Sequence, residues 1–200
     1  MSEPVRLPGG RDVVGTLDSP AADRAVVACP PHPQFGGSRS DQRLRAVSDA
    51  LAPDVAVLRI DYGPWDEGRG ERGDAERAVA WAAERFASVG LFGYSFGSGI
   101  AIRAAAALSD DSEADAPAAL SALAPPAESG GESVADALDG VRCPTQVVYG
   151  GRDDTVDWRP VVERARDRGH AVESLRADHH FVGQTATVGD VVAAFFRAHR

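Results

Sequence analysis

The chain has 200 residues, a formal net charge of −9 and a pI near 5.0, and that length suits one domain with a sizeable core, spanning 1–200. Its 44% hydrophobic and 26% charged residues are too apolar for a disordered chain, and its acidity argues against nucleic-acid binding, which needs a basic face. No apolar run approaches the roughly 18 residues of a membrane span. Met1 to Arg11 carries charges and prolines in place of a signal peptide's apolar stretch, so a cytoplasmic protein is expected. Two cysteines make no disulfide framework. Cys29 ends one strand and Cys143 precedes another, so a bridge between them is not expected. There is no lysine; all 21 basic residues are arginine. Excess carboxylates with few ammonium groups suit a salt-rich, halophilic cytoplasm, where screening removes self-repulsion, and a GC-rich genome yields the same bias by codon usage. Neither reading bears on activity.

In chain order, Val13 to Leu17 reads as an early strand paired with Val5 to Leu7 across Pro8-Gly9-Gly10. Ala25 to Cys29 is a buried strand entering a Pro- and Gly-rich loop, Pro30 to Gly37. Ser38-Arg39-Ser40-Asp41 has capping-box spacing, with a helix following to Leu51. Val55 to Ile60 is a strand apolar on both faces, and a glycine-rich loop leads to a helix over Asp74 to Phe86. Then come a strand at Val89 to Gly93, a helix at Phe96 to Leu108, an acidic exposed connection at Asp110 to Asp115 and a strand at Ala118 to Leu123. Ser129 to Leu138 reads as a short helix. Thr145 to Tyr149 and Ala171 to Leu175 are strands around a helix at Trp158 to Arg168, and Val188 to Ala198 is a closing helix. This alternation predicts an α/β fold, a three-layer α/β/α sandwich on a mostly parallel sheet.

Gly93-Tyr94-Ser95-Phe96-Gly97 carries the chemistry. A buried strand ends at Gly93, a small-residue helix starts at Phe96, and Ser95 sits on the turn between them: a nucleophile elbow in its strand–turn–helix setting. The strained turn projects the hydroxyl above the carboxyl edge of the sheet, and the helix aims its first N–H groups at charge developing there. A serine needs a base, and the base an orienting acid. Downstream, one strand runs into Gly150-Gly151-Arg152-Asp153-Asp154-Thr155-Val156 and another into Ala177-Asp178-His179-His180-Phe181. Both clusters follow strands and so share the edge of the sheet with Ser95.

These segments resemble the α/β-hydrolase superfamily, specifically its small lid-less members similar to dienelactone hydrolases. The elbow matches, as does the loop Pro30-Pro31-His32-Pro33-Gln34-Phe35-Gly36-Gly37 against an HPHPxxGG pattern. The acid loop matches a G-x-x-D-x-x-V pattern at Gly150, Asp153 and Val156, and the histidine loop an A-D-H-F-F pattern from Ala177. The resemblance implies a catalytic triad of Ser95, Asp153 and His179, preferred over Asp154 and His180, in an α/β-hydrolase fold without a cap domain. Two residues depart from it: Pro30 replaces a histidine, and His180 replaces an aromatic residue.

One oxyanion donor is expected to be the N–H of Phe96. Pro30, Pro31 and Pro33 have no N–H, which leaves His32, Gln34 and Phe35 as the second, and the resemblance favours His32. Phe35, Tyr62, Trp65, Tyr94 and Phe181 are candidate pocket aromatics, or else rings packed under loops. His32, Asp178, His179 and His180 lack metal-ligand spacing, so neither a metal nor another cofactor is expected. The expected activity is hydrolysis of a carboxylic ester or related small-molecule acyl substrate, without nucleic-acid or membrane partners; a homo-oligomer is compatible with it. A thioesterase, peptidase or acyltransferase on the same scaffold, or a non-catalytic binding protein, are the alternatives.

Overall fold

A computed structural model describes residues 1–111 and 116–199. An eight-stranded sheet runs in the order β1 (Ser2–Arg6), β2 (Val14–Asp18), β4 (Ala56–Asp61), β3 (Arg24–Cys29), β5 (Ser88–Tyr94), β6 (Leu120–Leu123), β9 (Thr145–Gly150) and β10 (Ala171–Leu175). Pairing is antiparallel from β1 to β2 and from β2 to β4, and parallel everywhere else in the sheet. Helices α1 (Gln42–Leu51) and α6 (Thr185–Ala198) cover one face. The other is covered by α2 (Arg69–Ala83), α3 (Phe96–Asp111), α4 (Val134–Ala137) and α5 (Arg159–Asp167).

The two cores follow from the period-two alternation of strand side chains. Ala25, Val27 and Cys29 of β3 join the core under α2 and α3, whereas Val26 and Ala28 join the one under α1 and α6. On β5, Val89 and Leu91 face the first core while Phe92 and Tyr94 face the second. Leu58, Leu91, Ile100, Leu120 and Leu123 are fully buried, each such side chain contributing about 1.5–3 kcal/mol.

Several expectations shift. Asp41, not Ser38, is the N-cap of α1, its carboxylate accepting from the Arg43 N–H at 2.8 Å. Helix α2 starts five residues before Asp74. The buried Glu71 carboxylate accepts from the N–H groups of Asp66 and Gly68, both at 2.8 Å, and holds the first turn together despite Gly70 and Gly73. The first half of the expected helix at Ser129 to Leu138 is instead a hairpin, β7 (Glu128–Ser129) against β8 (Glu132–Ser133). Gly130 and Gly131, at φ 61° and 74°, make the tight turn that two-residue hairpins require. Asp110 and Asp111 belong to α3 rather than to a connection, and the rest of that segment, 112–115, lies outside the described residues.

Candidate active site

At the end of β5 the backbone of Ser95 adopts φ 55°, a left-handed conformation that a non-glycine residue holds only when its surroundings enforce it. The Ser95 N–H donates to the Leu123 carbonyl at 2.8 Å, tying the elbow to β6. The Ser95 carbonyl accepts from the Ser98 N–H at 2.9 Å and from the Ser98 hydroxyl at 2.5 Å. A side chain at Gly93 would strike the Gly97 carbonyl, and one at Gly97 the carbonyls of Cys29 and Pro30. These two glycines let β5, α3 and the loop after β3 close on one point.

Asp153 and His179 are brought to that point by the pairing of β9 with β10. The Gly151 N–H donates to Leu175 O at 2.8 Å and the Arg152 N–H to Ala177 O at 3.0 Å, so the two loops leave the sheet zipped together. A Cβ on Gly150 would lie 2.6 Å from the Ala177 carbonyl oxygen, which explains the glycine there. One carboxylate oxygen of Asp153, Oδ1, accepts from the N–H groups of Thr155 at 2.9 Å and Val156 at 3.3 Å. The other, Oδ2, is 2.7 Å from Nδ1 of His179, and Nε2 of His179 is 2.9 Å from the Ser95 hydroxyl oxygen. The carboxylate fixes the tautomer: Nδ1–H donates to Asp153 and bare Nε2 faces the hydroxyl. Both side chains are nearly or wholly buried. Asp154 and His180, by contrast, are exposed, the His180 ring standing almost perpendicular to that of His179.

Of the three candidate loop amides, Gln34 donates to Nδ1 of His32 at 3.3 Å and Phe35 to the His32 carbonyl at 3.1 Å. The N–H groups of His32 and Phe96 have no acceptor among the described residues. The His32 ring sits among Phe35, Trp65 and Phe96, with centroids 4.6–4.8 Å away, and burial pushes its pKa down.

An open cleft of about 610 Å³ lies over Ser95, and Phe35 and Tyr94 line it, as do Val156, His179 and His180. Three of the five candidate aromatics do not. Tyr62 donates its hydroxyl to Pro30 O at 3.2 Å and packs edge-on against Phe96, and burial holds its phenol pKa well above the usual value. Trp65 packs at a tilt against His32 and Phe96, and Phe181 is fully buried in a T-shaped contact with Tyr94. These three support the loops whose neighbours line the cleft. Asp41 and Arg43 of the first turn of α1 do line it and were missed, because only the tertiary fold carries that turn to the sheet edge. Both cysteines are free and buried, and no group of three or more potential metal ligands occurs among the described residues.

No protein-family model matches the sequence, and neither does any curated protein. Solved structures match along almost the whole chain. A lid-less α/β serine hydrolase from Xanthomonas campestris superposes with a TM-score of 0.79 at 23% identity, covering 98% of this chain and 94% of that one. A dienelactone hydrolase from Anabaena variabilis gives 0.78 at 22%, over 100% and 98%. An esterase from Pyrococcus furiosus gives 0.81 at 19%, over 100% and 91%. The chain has the α/β-hydrolase fold. On an α/β-hydrolase sheet the carboxyl edge is where sites assemble, and here it holds Ser95, Asp153 and His179. No described helix is long and apolar enough to cross a membrane.

Proposed function

We propose that the protein is a serine hydrolase that cleaves carboxylic esters or closely related acyl compounds. One observation carries the reading: an unbroken chain of two short hydrogen bonds, Asp153 to His179 at 2.7 Å and His179 to Ser95 at 2.9 Å, opening on a cleft. In the reaction, Nε2 of His179 takes the hydroxyl proton as Ser95 Oγ attacks the acyl carbon. Asp153 stabilises the imidazolium that forms. The oxyanion of the tetrahedral intermediate accepts from the N–H groups of Phe96 and His32, each such donor lowering the barrier by roughly 3 kcal/mol. His179 then protonates the leaving alcohol, and the same imidazole deprotonates the water that releases the acid and restores Ser95. Every proton is moved by these residues, so the steps call for no cofactor.

The fold likeness to an esterase and to lid-less serine hydrolases supports the reaction class. The cleft also favours an uncharged acyl group. Its guanidinium, that of Arg43, is already paired with Asp41, and Glu128 adds another carboxylate to the wall. A fluorophosphonate probe tests the reading. The protein should gain one adduct on Ser95, and His179→Ala should abolish the adduct while His180→Ala keeps it. An unlabelled wild-type protein with no turnover of short-chain esters would leave a binding protein on a hydrolase scaffold.

A further inference from the structure

The backbone that carries His179 is held by two side chains outside the triad. Tyr94, the residue before the proposed nucleophile, is 2% exposed, and its hydroxyl donates to the His179 carbonyl at 3.0 Å. Arg43 lays its guanidinium 4.4 Å above the centre of the Tyr94 ring and sends Nη1 to the next carbonyl, that of His180, at 3.4 Å. Asp41 aims the guanidinium, accepting from Nη2 at 2.6 Å while its other oxygen caps α1. Nε of Arg43 is buried with no acceptor among the described residues. Leaving a buried donor unmet is unfavourable, so this arginine is not held as an ordinary solvated surface cation would be.

From this arrangement we infer that Tyr94 and Arg43 form a positioning clamp that holds the His179–His180 backbone at the distance from which the imidazole can reach Ser95 and Asp153 together. The inference rests on the hydrolase reading above. Three parts of the chain meet in the clamp: the elbow through Tyr94, the start of α1 through Asp41 and Arg43, and the histidine loop through two successive carbonyls. Packing alone does not account for it, because a phenylalanine at position 94 would fill the same space without the donor. Both of His179's hydrogen bonds must form at once, and a displacement of about 1 Å in such a constellation costs on the order of 100-fold in rate. Burial pushes the Tyr94 phenol up to about 12, so it stays a donor through neutral and mildly alkaline solution.

The test measures p-nitrophenyl butyrate hydrolysis and fluorophosphonate labelling in wild type, Tyr94→Phe, Arg43→Met and Arg43→Lys, with a thermal midpoint for each. Tyr94→Phe and Arg43→Met should each lower kcat and the labelling rate about tenfold, with KM within twofold of wild type. Arg43→Lys, which keeps a cation and a donor, should recover part of that loss. The Tyr94→Phe/Arg43→Met double variant should lose less than the product of the single losses, because both act on one backbone segment. Since Tyr94→Phe is nearly isosteric and Arg43→Met keeps the apolar stem, both variants should melt within a few degrees of wild type. A wild-type protein that labels with variants labelling equally fast overturns the clamp and leaves the hydrolase reading standing. Losses confined to KM, or a lowered midpoint with kcat intact, overturn it too, the first assigning these residues to substrate contact and the second to packing. A wild-type protein that neither labels nor turns over ester removes the hydrolase reading and the clamp with it.

Discussion

Asp74 and Asp153 are both carboxylates with fully buried side chains, and each is fully occupied by hydrogen bonds. Asp74 accepts from Arg11 Nε at 2.8 Å, from the Gly63 N–H at 3.0 Å and from Arg77. Asp153 accepts from two backbone N–H groups and from His179. The difference lies in the partner. An arginine never gives up its proton in water, and the hydrogen bond to Asp74 raises the pKa of Arg11 still further, so that network only holds α2 against the loop after β4. An imidazole exchanges its proton near neutrality. Burial and satisfied hydrogen bonds thus mark both sites equally, and under the proposed function the exchangeable partner is what separates a carboxylate that orients a base from one that only braces.

Substitutions separate the two sites in a graded way. Ser95→Ala, beyond the acid but in the same chain of bonds, should give the largest effect, about 10⁶-fold in kcat with no adduct formed and the thermal midpoint preserved. Asp153→Asn should lower kcat about 10⁴-fold by stabilising the wrong imidazole tautomer, with a modest change in midpoint, read from steady-state kinetics and melting together. Asp74→Ala should behave inversely, losing about 3 kcal/mol in denaturant melts because the buried carboxylate's bonds to Arg11, Arg77 and the Gly63 N–H are lost together. Its folded fraction should label at the wild-type rate; a labelling defect in that folded fraction would erase the distinction between the two sites.

The smallest expected effect concerns pH. Burial lowers the pKa of both His32 and His170 below the ordinary value of 6.5, so the unfolded chain binds their protons more readily than the folded one. Their contribution is therefore complete above pH 6.5 and lost as pH falls through the lower folded values. Melting midpoints should decline over that window, and a His32→Gln/His170→Gln variant should flatten the decline; an unchanged slope would show that these rings do not set it.

Much of this was legible in residue order. The elbow is a local structure, since Gly93, Ser95 and Gly97 state their steric roles within five positions, and the alternating strands and helices state the layered sheet. Asp153 and His179 were legible through their short patterns, although their neighbours Asp154 and His180 are chemically equal to them in sequence. What was not legible has a physical cause in each case. Helix α2 was read short because Glu71 holds a glycine-rich turn by reaching back to Asp66 and Gly68, against local propensity. The hairpin at Glu128 to Ser133 was missed because Gly130-Gly131 was counted inside the helix expected over Ser129 to Leu138, although paired glycines are a turn signal between short strands. Tyr62, Trp65 and Phe181 were aromatic enough for a pocket, yet which side of a loop an aromatic ring faces depends on what packs behind it.

The residue order by itself determined the α/β alternation, the elbow and the types of group available for acid–base chemistry, because these depend on side-chain period, glycine sterics and intrinsic acidity. Only the tertiary structure decided which loop amides are left without an acceptor, which aromatic rings reach the cleft, and that Arg43 and Tyr94 contact the histidine loop. Such choices depend on where separate segments meet at the edge of the sheet, and distances across a sheet are set by packing and register rather than by any pattern along the chain.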